Sequence, residues 1–147
     1  MKKLILAVFI LAAVVAWGQT ASFVDQVLSQ NRARYGDTAY LVLAAAGLIP
    51  DTATADEAVA YVAKAGWAKD PSAAGPTDLG QFSYLVMRAF GMKGGVMYLI
   101  FPGERYATRE LVFKKVVTGM TEPSHPLSGE EVLRFLGRAA ELKGGNS

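Results

Sequence analysis

Two arginines one helical turn apart, Arg105 and Arg109, lie close in sequence to Tyr98 and Tyr106. A guanidinium group binds a carboxylate or a phosphate through two parallel hydrogen bonds, and tyrosine rings can form the floor of such a site. We therefore predict that these four residues bind a ligand with an anionic group, such as an acidic sugar. The alternative is a solvated helix face, because two glutamates alternate with the arginines and can form surface ion pairs with them.

The sequence offers little support for other chemistry. Cysteine is absent, which excludes thiol nucleophiles, cysteine-ligated metals and lipid attachment to cysteine. The one histidine, His125, lies between two prolines, and no Gly-x-Ser-x-Gly turn supplies a nucleophile for it. We therefore expect no catalytic residue, no metal and no cofactor, and a protein that is not an enzyme. A small hydrolase that uses two carboxylates is the remaining enzymatic alternative.

Residues 1–18 have the pattern of a secretory signal peptide. Lys2 and Lys3 precede an apolar run over residues 4–16, and Ala16-Trp17-Gly18 offers small residues on both sides of the tryptophan as a cleavage site. The run is shorter than the roughly 17–25 residues of a transmembrane helix. We expect cleavage after Gly18, or a few residues later near Ala21, and an exported chain in the periplasm or cell envelope that does not span the membrane. A retained signal anchor is the alternative.

The charge and length of the remaining chain indicate a single domain. The chain has 15 basic and 13 acidic residues, so loss of Lys2 and Lys3 leaves it formally neutral. A basic stripe for nucleic acid is absent, and we expect no nucleic-acid partner. We expect residues 19–142 to form one helical domain and residues 143–147 to form a flexible tail.

Apolar residues repeat with the period of a helix in several blocks of this domain. Thr54 and Ser128 are each followed three residues later by a glutamate, which is the pattern of a capping box at a helix start. Thr77 is the expected N-cap of another helix, with Gln81 as the nearest residue that could complete its box. The sequence therefore predicts an all-α fold of about six short helices in stacked helical hairpins.

One segment, around residues 95–101, departs from the helical pattern. Its valine, tyrosine, isoleucine and phenylalanine lie between glycines and favour an extended conformation. A lone strand must pair with another segment or run through the core as a connector. We predict one short extended segment here, either as such a connector or as an exposed edge that recruits a partner strand.

Two stretches of the domain look like copies of one helical hairpin, a pattern that indicates stacked repeats. The alternative is chance similarity between two capped hairpins. The features that recur in the same order are Arg34-Tyr35, Gly47, Pro50 and Thr54-x-x-Glu57 in the first stretch, and Arg105-Tyr106, Gly119, Pro123 and Ser128-x-x-Glu131 in the second.

Residues 56–92 resemble an S-layer homology unit, with a helix, a Gly-apolar turn, a Pro-containing loop and a Thr-capped helix ending in apolar-Arg-Ala-apolar-Gly. Residues 128–140 are similar to the second half of another such unit. In that family the second helix opens with Thr-Arg-Ala-Glu, whose arginine helps to bind cell-wall polysaccharide. The arginine is missing at the matching positions, so the resemblance implies the fold more strongly than polysaccharide binding. Those positions read Thr77-Asp78-Leu79-Gly80, Thr54-Ala55-Asp56-Glu57 and Ser128-Gly129-Glu130-Glu131.

These observations predict a non-catalytic cell-envelope module. Its expected partner is cell-wall glycan or another envelope protein, and the expected site is the group of Arg105, Arg109, Tyr98 and Tyr106. The alternative function is that of a structural subunit in a periplasmic or outer-membrane assembly, with protein contacts only.

Overall fold

The computed structural model describes residues 20–145, so the predicted signal peptide lies outside the described residues. Within this range the chain forms seven helices and no strand, which confirms the all-α prediction. None of these helices has the length and apolar composition needed to cross a bilayer. The last helix continues two residues beyond the domain end expected at residue 142. The helices are α1, described over residues 20–28; α2, Tyr35–Ala45; α3, Ala55–Lys64; α4, Leu79–Ala89; α5, Val96–Ile100; α6, Glu104–Phe113; and α7, Gly129–Gly144.

Capping boxes begin α3 and α7 at the residues that the sequence indicates. The Thr54 hydroxyl accepts a hydrogen bond from the Glu57 backbone N–H at 3.2 Å, and the Thr54 N–H donates to the Glu57 carboxylate at 2.6 Å. Ser128 and Glu131 form the same pair of bonds at 3.2 and 2.9 Å. Each box satisfies two backbone N–H groups that have no acceptor within the helix.

The predicted N-cap of α4 is wrong by one residue, because Asp78 takes the place expected for Thr77. The Asp78 carboxylate accepts from the Gln81 N–H at 2.8 Å, and the Gln81 side-chain oxygen accepts from the Asp78 N–H at 3.0 Å. Thr77 is buried instead, and its hydroxyl donates to the hydroxyl of Thr38 at 3.1 Å. Both backbone groups of Thr77 bind other segments of the chain, which leaves it one residue outside the helix.

Three backbone hydrogen bonds join the segments that precede α2, α4 and α7 into a closed ring. The Ala33 N–H donates to the Leu127 carbonyl at 2.8 Å, the Leu127 N–H to the Thr77 carbonyl at 2.9 Å, and the Thr77 N–H to the Ala33 carbonyl at 2.8 Å. Each of the three residues therefore donates once and accepts once within the ring. We call these three bonds the backbone ring. Because of it, α2, α4 and α7 start from a common centre.

The backbone ring relates different helices from those that the sequence repeat aligns. In the ring, the start of α7 is equivalent to the starts of α2 and α4. The sequence repeat instead aligns α3 with α7, because both begin with a capping box. A capping box is a local device that depends on two residues three apart, so finding it at two helix starts does not relate the positions of those helices in the fold. In the tertiary structure α2 packs against α3, and α4 packs against α6.

The core lies between these helices and is apolar. The rings of Phe82 on α4 and Phe135 on α7 lie near its middle, with centroids 6.3 Å apart. Close packing extends to α1, because a Cβ atom at Gly129 would collide with the backbone carbonyl of Val27. Other large side chains that are fully buried are Leu43, Leu79, Leu85, Met87, Leu111 and Leu127.

Residues 95–101 contain a helix, so the prediction of an extended segment there is wrong. The Leu99 N–H donates to the Gly95 carbonyl at 3.1 Å within α5, and the Gly95 N–H donates to the Glu110 carboxylate on α6 at 2.7 Å. Within the described residues no strand is available to pair with this segment. A short helix satisfies backbone groups that a lone strand would leave without partners, and this outweighs the strand preference of the side chains.

Candidate functional site

The four residues predicted to form a binding site differ in exposure: the two arginines are exposed, Tyr106 is half-buried and Tyr98 is buried. Arg105 and Arg109 lie on the exposed face of α6, and neither forms an ion pair with another described residue. Tyr98 is only 7% exposed, so its ring cannot serve as the floor of an open site. Tyr106 is half-buried and packs against the core. The two arginines therefore remain neighbours on an open surface, without the aromatic floor expected from Tyr98.

A cleft of about 730 Å³ lies elsewhere, beside the backbone ring. Its wall combines the start of α2, the loop of residues 65–78, the first turns of α4, the start of α6 and part of the loop of residues 114–128. None of the four residues predicted from the sequence lines it. The side chains that matter most for its chemistry are Arg32, Tyr35, Trp67, Lys69, Asp70, Asp78, Gln81, Tyr84 and Glu104.

The loop of residues 65–78 forms one side of the cleft and is fixed against α2. The Tyr35 N–H donates to the Gly75 carbonyl at 2.8 Å, and the Gly36 N–H donates to the Ala73 carbonyl at 2.9 Å. A Cβ atom at Gly36 would lie 3.0 Å from the Cβ of Ala73, so glycine allows this close approach. These bonds use N–H groups at the start of α2 that have no partner within the helix. The wall of the cleft is therefore built in advance of ligand binding.

Two half-buried aromatic residues, Trp67 and Tyr84, face the cleft from different elements. The Trp67 ring packs edge-to-face on Tyr61 of α3, with centroids 5.8 Å apart. The Tyr84 hydroxyl accepts hydrogen bonds from Nε and Nη2 of Arg88 at 3.1 and 3.0 Å, and this bonding raises the pKa of the Arg88 guanidinium. Both rings are thus held by neighbours and leave part of their surface open.

A carboxyl group from α6, that of Glu104, reaches the first turn of α4 at the cleft. A Cβ atom at Gly80 would lie 3.0 Å from the Glu104 Cβ and 3.2 Å from its Oε2. Partial burial raises the pKa of Glu104, and the negative charge of Asp78 adds to this. Burial, with a further contribution from Glu104, raises the pKa of the Tyr35 hydroxyl to about 12. The cleft therefore holds a carboxyl that takes up a proton more readily than a free glutamate, beside a tyrosine that stays protonated.

The groups around the cleft are suited to hydrogen bonding with a neutral or weakly charged ligand. The basic side chains of Arg32 and Lys69 and the acidic ones of Asp70, Asp78 and Glu104 all line it, so both signs of charge are present. His125 is exposed, and its backbone carbonyl accepts from the Leu79 N–H at 2.8 Å. Among residues 20–145, no three His, Asp or Glu side chains come together in a way that could hold a metal ion.

Sequence reasoning missed this cleft because its lining comes from distant parts of the chain, from Arg32 to Pro126. The arginine pair is visible as a local spacing, whereas the approach of Trp67 to Tyr84 and Glu104 depends on the tertiary fold. One segment noted in the sequence covers part of the cleft wall. The segment that resembles an S-layer homology unit, residues 56–92, contains the loop of residues 65–78 and the start of α4.

Comparison of the chain with protein-family models, with curated proteins and with solved structures finds no match. The resemblance to S-layer homology units therefore stays a hypothesis based on residues 56–92 and 128–140. A functional proposal for the chain must therefore rest mainly on the geometry of the cleft.

Proposed function

We propose that the chain is a non-catalytic cell-envelope module that binds cell-wall glycan in the cleft. The observation that carries this proposal is the combination, in one preformed cleft of about 730 Å³, of partly open aromatic rings and hydrogen-bonding side chains. A volume in this range is typical of small-molecule sites, and a few sugar units of a glycan would occupy it.

The two types of group in the cleft match the two types of surface on a sugar ring. The C–H faces of a sugar are apolar and pack on aromatic rings, a role for Trp67 and Tyr84. Its hydroxyl groups both donate and accept hydrogen bonds, so they can bind the carboxyl groups of Asp70 and Glu104. Lys69 adds a positive charge that can bind the carboxylate or phosphate of an acidic wall sugar.

The envelope location in this proposal rests on the sequence of residues 1–18 and on the resemblance to S-layer homology units. The positively charged start, the short apolar run and the small residues near position 18 are typical of exported proteins. Such a protein would meet wall glycan directly after export.

Co-sedimentation of the purified protein with isolated cell-wall sacculi measures the binding and tests the proposal. We expect the double variant that combines Trp67→Ala and Tyr84→Ala to bind sacculi about tenfold more weakly or worse, because both aromatic contacts with the sugar are lost. Lys69→Ala should weaken binding to acidic wall polymers more than binding to neutral glycan fragments. Circular dichroism and urea denaturation establish that each variant is folded.

The matched control is Arg105→Ala with Arg109→Ala, which removes two exposed side chains outside the cleft. We expect this variant to bind sacculi as the wild type does. If the arginine variant loses binding while the aromatic variant keeps it, the glycan site lies on α6 and not in the cleft. A wild-type protein that never binds sacculi would favour the structural-subunit alternative.

A further inference from the structure

The short helix α5 exposes almost all of its large apolar side chains. Exposed apolar residues scattered singly are ordinary, but a cluster of neighbouring ones marks an interaction surface. Phe113, at the end of α6, is the most exposed large apolar residue in the described part of the chain, at 83%. The exposed fractions on and next to α5 are 70% for Val96, 46% for Met97, 71% for Leu99, 59% for Ile100 and 59% for Phe101.

The structure holds α5 in this orientation. Tyr98 is the one buried residue of the helix, and it packs so tightly against Gly94 that a Cβ atom there would lie 2.8 Å from the Cβ and Cγ of Tyr98. The Gly95 N–H donates to the Glu110 carboxylate at 2.7 Å, which ties the start of α5 to α6. The outward direction of the apolar side chains is therefore fixed by one buried anchor and one hydrogen bond.

Positive charge is concentrated in the segment that carries these apolar side chains. Residues 93–115 contain five basic and two acidic residues, whereas the rest of the described chain contains eight basic and eleven acidic residues. Of the two acidic residues, Glu110 is bonded to Gly95 and Glu104 lies against Gly80 at the cleft. Lys93, Arg105 and Arg109 are exposed. Together, α5 and α6 therefore expose both apolar and basic side chains, and we call this the surface of α5 and α6.

We propose that this surface docks on an anionic lipid bilayer. In this arrangement the apolar side chains of α5 enter the boundary between head groups and acyl chains, and Lys93, Arg105 and Arg109 contact lipid phosphates. An apolar face rimmed by basic residues is the combination that binds proteins to anionic membranes without crossing them. A second copy of the chain fits the surface less well, because a symmetric pair would bring the two sets of positive charges together.

The experiment uses the absence of cysteine from the chain, which makes an introduced thiol the single labelling site. The thiol of the Phe101→Cys variant is labelled with a nitrobenzoxadiazole fluorophore, whose emission rises when it leaves water. Vesicles of equal parts phosphatidylglycerol and phosphatidylcholine are compared with vesicles of phosphatidylcholine alone. We expect a rise in emission with the anionic vesicles, and a smaller rise or none with the neutral ones.

The Leu48→Cys variant, labelled in the same way, is the matched control, because Leu48 is exposed but lies three residues after the end of α2, outside the surface. Its emission should not change. Because the label reports on residue 101, the apolar run at residues 4–16 cannot produce the expected signal by binding lipid itself. A label at residue 101 that stays in water when the protein is mixed with anionic vesicles would overturn the proposal.

Two further variants separate the apolar and the electrostatic contributions. Leu99→Gln with Ile100→Gln, in the labelled Phe101→Cys chain, should abolish the emission change, because the apolar insertion is lost. Arg105→Gln with Arg109→Gln should weaken binding to the anionic vesicles by about tenfold, and added salt should weaken the wild type in the same direction. If the emission per labelled chain rises with protein concentration in the absence of vesicles, a second copy of the chain covers α5. The membrane proposal would then be wrong.

Discussion

Glu104 shows how a single residue links the cleft to the stability of the fold. Its carboxyl lies on the first turn of α4, near Asp78 and partly out of water, and both effects raise its pKa. The native state therefore holds the Glu104 proton more tightly than the unfolded chain does. As the pH rises through the range in which Glu104 ionises, the native state loses stability, because it must then hold a partly buried charge that also lies near the carboxylate of Asp78.

Glu104→Gln removes this titration. We expect the variant to be more stable than the wild type above the ionisation range of Glu104, and the difference to shrink as the pH falls through it. Urea denaturation of both proteins over a series of pH values measures this difference. Glu141→Gln on α7, where the side chain is exposed, is the control. A stability difference between Glu104→Gln and the wild type that does not change with pH would contradict the assignment of the raised pKa.

Two glycines on α7 test whether α1 packs against the start of that helix. A Cβ atom at Gly129 would meet the Val27 carbonyl, whereas one at Gly137 would have no heavy atom within 4 Å. We expect Gly129→Ala to destabilise the protein by about 1–3 kcal/mol, the usual cost of overpacking with a backbone shift. Gly137→Ala should stabilise it by about 0.5–1 kcal/mol, because alanine favours a helix interior. Thermal and urea denaturation measure the stability of both variants. If Gly129→Ala and Gly137→Ala change the stability equally, α1 does not pack on the start of α7.

At the scale of elements, the helix starts were the most predictable part of the fold. Thr54 and Ser128 begin helices because a hydroxyl followed by a glutamate three residues later satisfies the free N–H groups locally. Thr77 was misassigned because its backbone belongs to the backbone ring, which depends on distant segments. The helix α5 was missed for a similar reason, because only the tertiary structure shows that no strand in the described residues can pair with this segment. Local chemistry was predictable, and contacts between distant segments were not.

The capping boxes give a prediction for individual helices. Thr54→Ala and Ser128→Ala should each lower the free energy of unfolding by about 1 kcal/mol, because each removes an acceptor for a backbone N–H at a helix start. Thr52→Ala, an exposed threonine two residues before the first box, is the control and should change little. The measurement is urea denaturation. A loss in the control as large as that in the cap variants would mean that the effect does not come from the caps.

At the scale of the whole molecule, the backbone ring makes the fold a cooperative unit. Ala33, Thr77 and Leu127 precede three different helices, yet each depends on the other two for its hydrogen bonds. All three are buried, so breaking one bond leaves polar groups without water or protein partners. Partial opening at the centre is therefore costly, and α2, α4 and α7 should separate together.

Hydrogen exchange tests this cooperativity. We expect the backbone N–H groups of Ala33, Thr77 and Leu127 to exchange at the rate set by global unfolding, with similar protection for all three. The N–H groups of α5 should exchange faster, because this helix is short and mostly exposed. Protection that differs by orders of magnitude among the three ring residues would show that the segments open independently.

The backbone ring also has a consequence for the order of events in folding. Its last member, Leu127, lies near the C-terminal end of the described chain, while Ala33 lies near the other end. Bringing together residues so far apart costs chain entropy before any contact compensates for it, which slows folding. A chain shortened before Leu127 would leave the Ala33 N–H and the Thr77 carbonyl without partners in the interior. The fold can therefore close at its centre only after the chain has been synthesised past Leu127, and earlier intermediates remain open there.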